Sequence, residues 1–200
     1  MNEKKRQRRP AFDREQGIAI SQLLFHQRGF DAVSLSDLTE AMNIKPPSFY
    51  AAYGSKAELF ERAMHRYADE NALPMDKLLT LDRPPAEALA SLLVAAAKQY
   101  AGDNTLRGCL ITEAMRADDP IARNMAEKLG EAGIQKIRSY LDQVFPEAAQ
   151  ALTDYLLITL RGLSAAACSG ISPKRLVAVA QIAGQAISGE FKASGTTADS

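Results

Sequence analysis

The chain has 200 residues, 46% of them hydrophobic and 24% charged, with acidic and basic side chains in balance and a formal net charge of zero. That composition fits a soluble globular protein of one or two small domains, and no apolar run approaches the roughly 20 residues that a membrane span needs. The basic start (Lys4, Lys5, Arg6, Arg8, Arg9) has no apolar segment of a secretory signal behind it, so a cytoplasmic protein with no membrane partner is expected.

Apolar positions recur at three- and four-residue steps and no alternating Val/Ile/Thr run occurs, which predicts an all-α fold of about nine helices. Residues 1–11 read as a basic arm. Between residues 2 and 9 it carries five cations against one anion, a site for a polyanion or simply a solvated tail. A first helix starts at Arg14, presents Ile18, Leu24 and Phe25 on an apolar face, and stops at Gly29. Ser34 with Asp37 three residues on is a capping box opening a helix of about two turns to Met42. Asn43 suits the left-handed conformation of a tight turn, and Ile44 plugs that turn. Pro46 and Pro47 fit only the first turn of a helix that runs to Tyr53 and ends at Gly54. Ser55 caps the next helix, Lys56 to Asn71. Residues 12–55 thus form a three-helix unit with helix-turn-helix proportions, and 56–73 a connecting helix; two short helices around a turn can also be a plain αα-corner.

Pro74, Asp82, Pro84 and Pro85 punctuate the start of a second unit over 74–192. Its expected helices are one through Leu89, Leu92, Ala96 and Tyr100, a short one from Cys109 to Ala117, and a long one opened by Asp119-Pro120. A pair from about Leu152 to Ser169 and Pro173 to Phe191 follows, and residues 193–200 form a polar tail. The last pair carries Gly162, Ala166, Ala180, Ala183 and Ile187. Small residues at helical spacing let backbones approach closely, and a nearly all-apolar helix is unstable on a monomer's surface, so these five are the expected dimer interface.

The run Ser34-Leu35-Ser36-Asp37-Leu38-Thr39-Glu40-Ala41-Met42-Asn43-Ile44, followed by Lys45-Pro46-Pro47-Ser48-Phe49-Tyr50-Ala51-Ala52-Tyr53-Gly54-Ser55-Lys56, resembles the N-terminal domain of the tetracycline-repressor (TetR) family. The resemblance covers residues 12 to 60 at motif level. It implies a homodimeric, usually repressing transcription factor, with a helix-turn-helix that reads a pseudo-palindromic double-stranded DNA operator and a helical C-terminal domain that binds an unknown small apolar or amphipathic effector. Two departures stand out: Asn43 replaces the usual glycine, and Pro46-Pro47 replaces more polar residues.

Chemistry suggests Lys45 for a phosphate or base acceptor, Ser48 for a base edge, and Pro47 and Ala51 for a thymine methyl. Ser34, Tyr50 and Lys56 match family positions that touch the DNA backbone, whereas Phe49 and Tyr53 are expected inside the small domain. Tyr100, Met115, Tyr140 and Tyr155, with Thr112, lie on helices that surround the effector cavity in the family, although core packing accounts for each equally well. Cys109 and Cys168 have no paired-cysteine motif, and His26 and His65 no ligand spacing, so neither metal nor cofactor is expected. A thiol-redox sensor using Cys109 or Cys168 is one alternative. A helical enzyme or adaptor without DNA binding is another, but no nucleophile, base and orienter set can be assembled.

Overall fold

The computed structural model describes residues 13–196, with side chains to residue 191, so the basic arm over residues 1–11 lies outside the described residues. The helices run α1 (Arg14–Arg28), α2 (Leu35–Ala41), α3 (Pro46–Tyr53), α4 (Lys56–Asn71), α5 (Met75–Leu78), α6 (Pro85–Tyr100), α7 (Leu110–Ala114), α8 (Pro120–Val144), α9 (Ala149–Cys168) and α10 (Pro173–Thr196), with a 3-10 turn at Pro146–Ala148 before α9. No strand occurs among the described residues. None of these helices is long and apolar enough to cross a membrane.

Local signals set most boundaries. Asp13 caps α1 by accepting the Glu15 and Gln16 amides, and Gly29 at φ 78° turns the chain out of it. Asn43 takes φ 52°, the left-handed turn its sequence position demanded. Three details differ from expectation. Met75–Leu78 forms a single helical turn after Pro74; α7 is confined to Leu110–Ala114, with Cys109 as its cap; and α10 continues to Thr196, into the stretch expected as tail.

Two cores result. The first gathers Phe25, Phe30, Leu38, Phe49, Tyr53, Phe60 and Met64 in α1–α4 and continues into Leu110, Ala114, Ala122 and Ala126 of α7 and α8. The second packs α6 against α9 and α10 through Leu89, Leu92, Leu93, Leu156, Leu163 and Leu176. The α6–α10 pair is the most extensive, and its backbones come so close that a Cβ at Gly184 would lie 2.6 Å from Ala90 Cβ.

That contact corrects the expected interface. Ala180, Ala183 and Ile187 point inward under α6 and are buried in the second core of the single chain, not on its outer face. Gly162 is exposed with open space beyond its Cα, and Ala166 is half-buried. The large apolar side chains left facing outward on α9 and α10 are Ile158, Val179 and Ile182, which is 65% exposed.

Candidate nucleic-acid interface and internal cavity

The helix-turn-helix is held by polar contacts that begin on α1. Ser34 caps α2 by accepting the Asp37 amide at 3.1 Å, and the Asp37 carboxylate takes the Ser34 amide at 2.7 Å and the Ser34 hydroxyl. Arg28, at the end of α1, donates to Asp37 at 2.9 Å and to the Ala32 carbonyl at 2.7 Å. The Arg28 guanidinium, followed by the Ser34 bonds, holds the Asp37 carboxyl far below the usual carboxylate range. The Ser34 hydroxyl is therefore already engaged in the capping box, although the residue is exposed.

On α3 the two faces separate cleanly. Phe49, Ala52 and Tyr53 are buried, and the Tyr53 hydroxyl donates to the Arg14 carbonyl at 2.9 Å, tying α3 to α1. Lys45, Pro47, Ser48, Tyr50 and Ala51 are all exposed, Tyr50 by 53%. Their common orientation follows from the helical period once Phe49 and Tyr53, four residues apart, are fixed inward.

The start of α3 offers little to an anion through its backbone. Pro46 and Pro47 have no amide hydrogen, and the Ser48 and Phe49 amides both bond the Lys45 carbonyl, at 2.9 and 3.1 Å. Positive charge here must come from the Lys45 side chain, the N-cap residue, rather than from the helix end itself.

Lys56 departs furthest from expectation. It is half-buried at the start of α4, with Nζ 4.0 Å from the centroid of the Phe30 ring. Burial lowers its pKa, while Asp31, Asp119 and Asp37 work against that loss of charge. The Asp31 carboxylate also accepts the Asp118 and Asp119 amides at 2.8 and 3.3 Å, just ahead of α8, whose own N-cap is Asp119. Lys56 thus stands at the joint between the helix-turn-helix and α8 rather than in the open. Sequence reasoning missed Asp31 altogether, because its partners lie far along the chain.

A second joint is formed by His26 of α1. Its ring meets Tyr67 of α4 edge-on at 5.3 Å, and its Nε2 is buried without a hydrogen-bond partner. Burial lowers its pKa; the Arg107 and Gly108 carbonyls, Asp103 and Glu113 oppose that.

Between α4, α6, α7, α8 and α9 lies a cavity of about 260 Å³. Tyr100, Thr112 and Met115 line it as expected, and so do Tyr67, Gln99, Cys109 and Arg161. Tyr140 and Tyr155 do not. Tyr140 faces a separate groove beside α5, with its hydroxyl 3.5 Å from the Thr80 carbonyl, and Tyr155 donates to the Ala183 carbonyl at 3.3 Å across to α10. Cys168 is exposed, and burial of its sulfur, with Glu113 nearby, pushes its thiol pKa up, away from thiolate.

Comparison with known proteins bears on this arrangement. The family model for bacterial regulatory proteins of the tetR family matches residues 23–63. The chain is similar to the HTH-type transcriptional repressor BdcR of Escherichia coli (strain K12), with 41% identity over 176 residues, 88% of this chain and 89% of the relative. It is also similar to the HTH-type transcriptional repressor ComR of the same organism, with 28% identity over 188 residues, 88% of this chain and 90% of the relative. Among solved structures, it is similar to a cysteine mutant of the TetR family transcriptional regulator CifR complexed with 26-bp double-strand operator DNA. The TM-score is 0.77 and the identity 31%, covering 90% of this chain and 99% of that one.

Proposed function

The chain belongs to the TetR family of transcriptional repressors, and from that premise we propose that it acts as a homodimer on a pseudo-palindromic DNA operator and is released by a small effector held in the internal cavity. One observation carries the reading: Lys45, Pro47, Ser48, Tyr50 and Ala51 form a single exposed face on a short helix whose other face is locked by Phe49 and Tyr53. Such a helix enters a major groove as a rigid body. Lys45 and Tyr50 supply backbone contacts, and Ser48, Pro47 and Ala51 meet base edges and thymine methyls.

The partner across the two-fold axis is a second copy, held through α9 and α10. Ile158, Val179 and Ile182, with Gly162 allowing close approach, support this reading, because they are large apolar side chains turned outward while Leu156, Leu163, Leu176 and Ala180 of the same helices are buried in the second core. The two recognition helices then sit about one DNA turn, roughly 34 Å, apart or a multiple of it.

Release follows from α4. At its first residue, Lys56, it belongs to the Asp31 joint, and near its last turn Tyr67 and Asn71 line the cavity. A ligand that favours a tilted α4 alters the half-site spacing; to reverse a 99:1 preference it needs about 5.5 kcal/mol of differential affinity for that state.

The test is binding of duplex DNA from upstream of the chain's own gene, followed by anisotropy. Tyr50→Ala and Lys45→Ala are expected to weaken it with unchanged melting temperature; unaltered binding by both removes α3 from the interface. Sedimentation of Ile182→Glu is expected to give folded monomers, and a dimeric Ile182→Glu places the contact elsewhere. The thiol reading keeps one supporting observation, Cys109 at the cavity wall. Oxidant-sensitive DNA binding that Cys109→Ser abolishes would carry it.

A further inference from the structure

Charge is unevenly distributed over the cavity wall. The space is mostly apolar, with Leu73, Ile111, Leu129 and Ile137 in its lining, and neither Asp nor Glu lines it. Two cations do, Lys136 and Arg161. Lys136 is already neutralised by Asp76, with Nζ 3.1 and 3.2 Å from the two carboxylate oxygens. Arg161 is exposed at the rim of the cavity, has no carboxylate within ion-pair distance among the described residues, and rests its guanidinium 3.6 Å from the Met115 sulfur.

Tyr100 is a second polar group turned toward the same space. Its side chain is only 5% exposed and lines the cavity, yet its hydroxyl bonds to no described residue. The hydroxyl itself is accessible from the cavity, where a ligand atom can meet it.

Resting on the reading of this cavity as the effector site, the geometry points to a small apolar monocarboxylate as the effector: its carboxylate pairs with Arg161, its body fills the aliphatic space, and Tyr100 donates to an oxygen of the same molecule. A guanidinium matches a carboxylate with two parallel N–H bonds, and the absence of acidic lining removes any competitor for it. A void of about 150 Å³ accepts one benzene ring, so 260 Å³ takes a ring with a short chain bearing the acid. An amine of the same shape meets Arg161 with like charge and no compensating carboxylate.

The probes are 3-phenylpropionate, 3-phenylpropanamide and 3-phenylpropylamine, titrated calorimetrically into the full-length protein. The acid is expected to bind about two- to fivefold tighter than the amide, the difference that a partly solvated ion pair gives, and the amine weakest. Arg161→Gln should bring the acid down to the amide while leaving the amide unchanged, and Arg161→Lys should restore part of the preference. Gly130→Val serves as the cavity control, because a Cβ at Gly130 drives the Met115 methyl into the space and should abolish binding of every probe. Acid and amide binding equally, or an Arg161→Gln protein that keeps its preference for the acid, overturns the assignment of the anion while Gly130→Val upholds the cavity. Binding that survives Gly130→Val overturns the cavity reading, and no heat from any probe overturns both.

Discussion

The core of α1–α4 is built around six aromatic rings, whereas the helices behind it are joined mainly by leucine and alanine, with Tyr100, Tyr140 and Phe145 at the margins. Phe25, Phe30 and Phe60 stack and meet edge-to-face with centroids 4.8 to 5.8 Å apart, an arrangement whose quadrupoles favour few alternatives. Alanine and leucine surfaces along α6, α9 and α10 impose no such angular preference, so packed helices there can slide by small amounts. The unit that carries the exposed face of α3 is thus set on rings of fixed mutual angle, and the helices behind it on faces without that constraint.

The largest test of that contrast is Phe60→Ala. Truncating a ring that touches both Phe25 and Phe30 should cost about 3–5 kcal/mol. Urea unfolding followed by circular dichroism should show α1–α4 melting ahead of the rest; a single transition would mean that the two regions are one cooperative unit. Gly184→Ala comes next. It gains about 1 kcal/mol of helix propensity but drives a methyl into Ala90, an overpacking of about 1–3 kcal/mol. The melting temperature should fall and return in the double variant with Ala90→Gly; a rise in the single variant would show that α6 and α10 yield freely.

Smaller effects arise where the regions meet. Asp31→Ala removes the acceptor for two amides at the head of α8 and should cost about 1 kcal/mol, the usual value of a lost cap. Its sharper signature is functional: operator affinity largely kept, response to effector weakened, both read in one anisotropy titration. The smallest effect concerns pH. Because burial lowers the pKa of His26 below its usual 6.5, the unfolded chain takes up this proton first, so His26 destabilises the fold as pH falls below about 6.5. Melting curves from pH 7.5 to 5.5 should show a steeper acid loss for the natural chain than for His26→Gln; parallel curves would remove His26 from the joint.

Legibility in the sequence followed the same divide. The helix-turn-helix could be read because each boundary depends on residues within a turn of it: Asn43 at positive φ, the prolines opening α3, Gly54 closing it, Ser55 capping α4. The exposed face of α3 followed from those boundaries. The faces of α9 and α10 did not. Val179 and Ala180 are neighbours, about 100° apart around the helix, and which one turns inward is decided by α6, distant in the sequence. Tyr140 and Tyr155 lie on expected helices but point away from the cavity for that reason. Lys56 was expected at the DNA backbone, and its seat over the Phe30 ring, with Asp31 and Asp119 in electrostatic reach, cannot be inferred from spacing.

The Asp31 contact also bears on how such proteins can be recombined. On one side the connection depends on a particular carboxylate, and on the other only on two main-chain N–H groups, which any residue but proline supplies. A grafted head that keeps an aspartate at position 31 can therefore cap a foreign turn of similar course whatever the side chains of that turn, while its apolar face must still match the residues that stand at Leu110, Ala114, Ala122 and Ala126. A head carrying a residue without an acceptor there leaves those amides uncapped, and the orientation of the two parts then depends on the non-directional apolar contact alone.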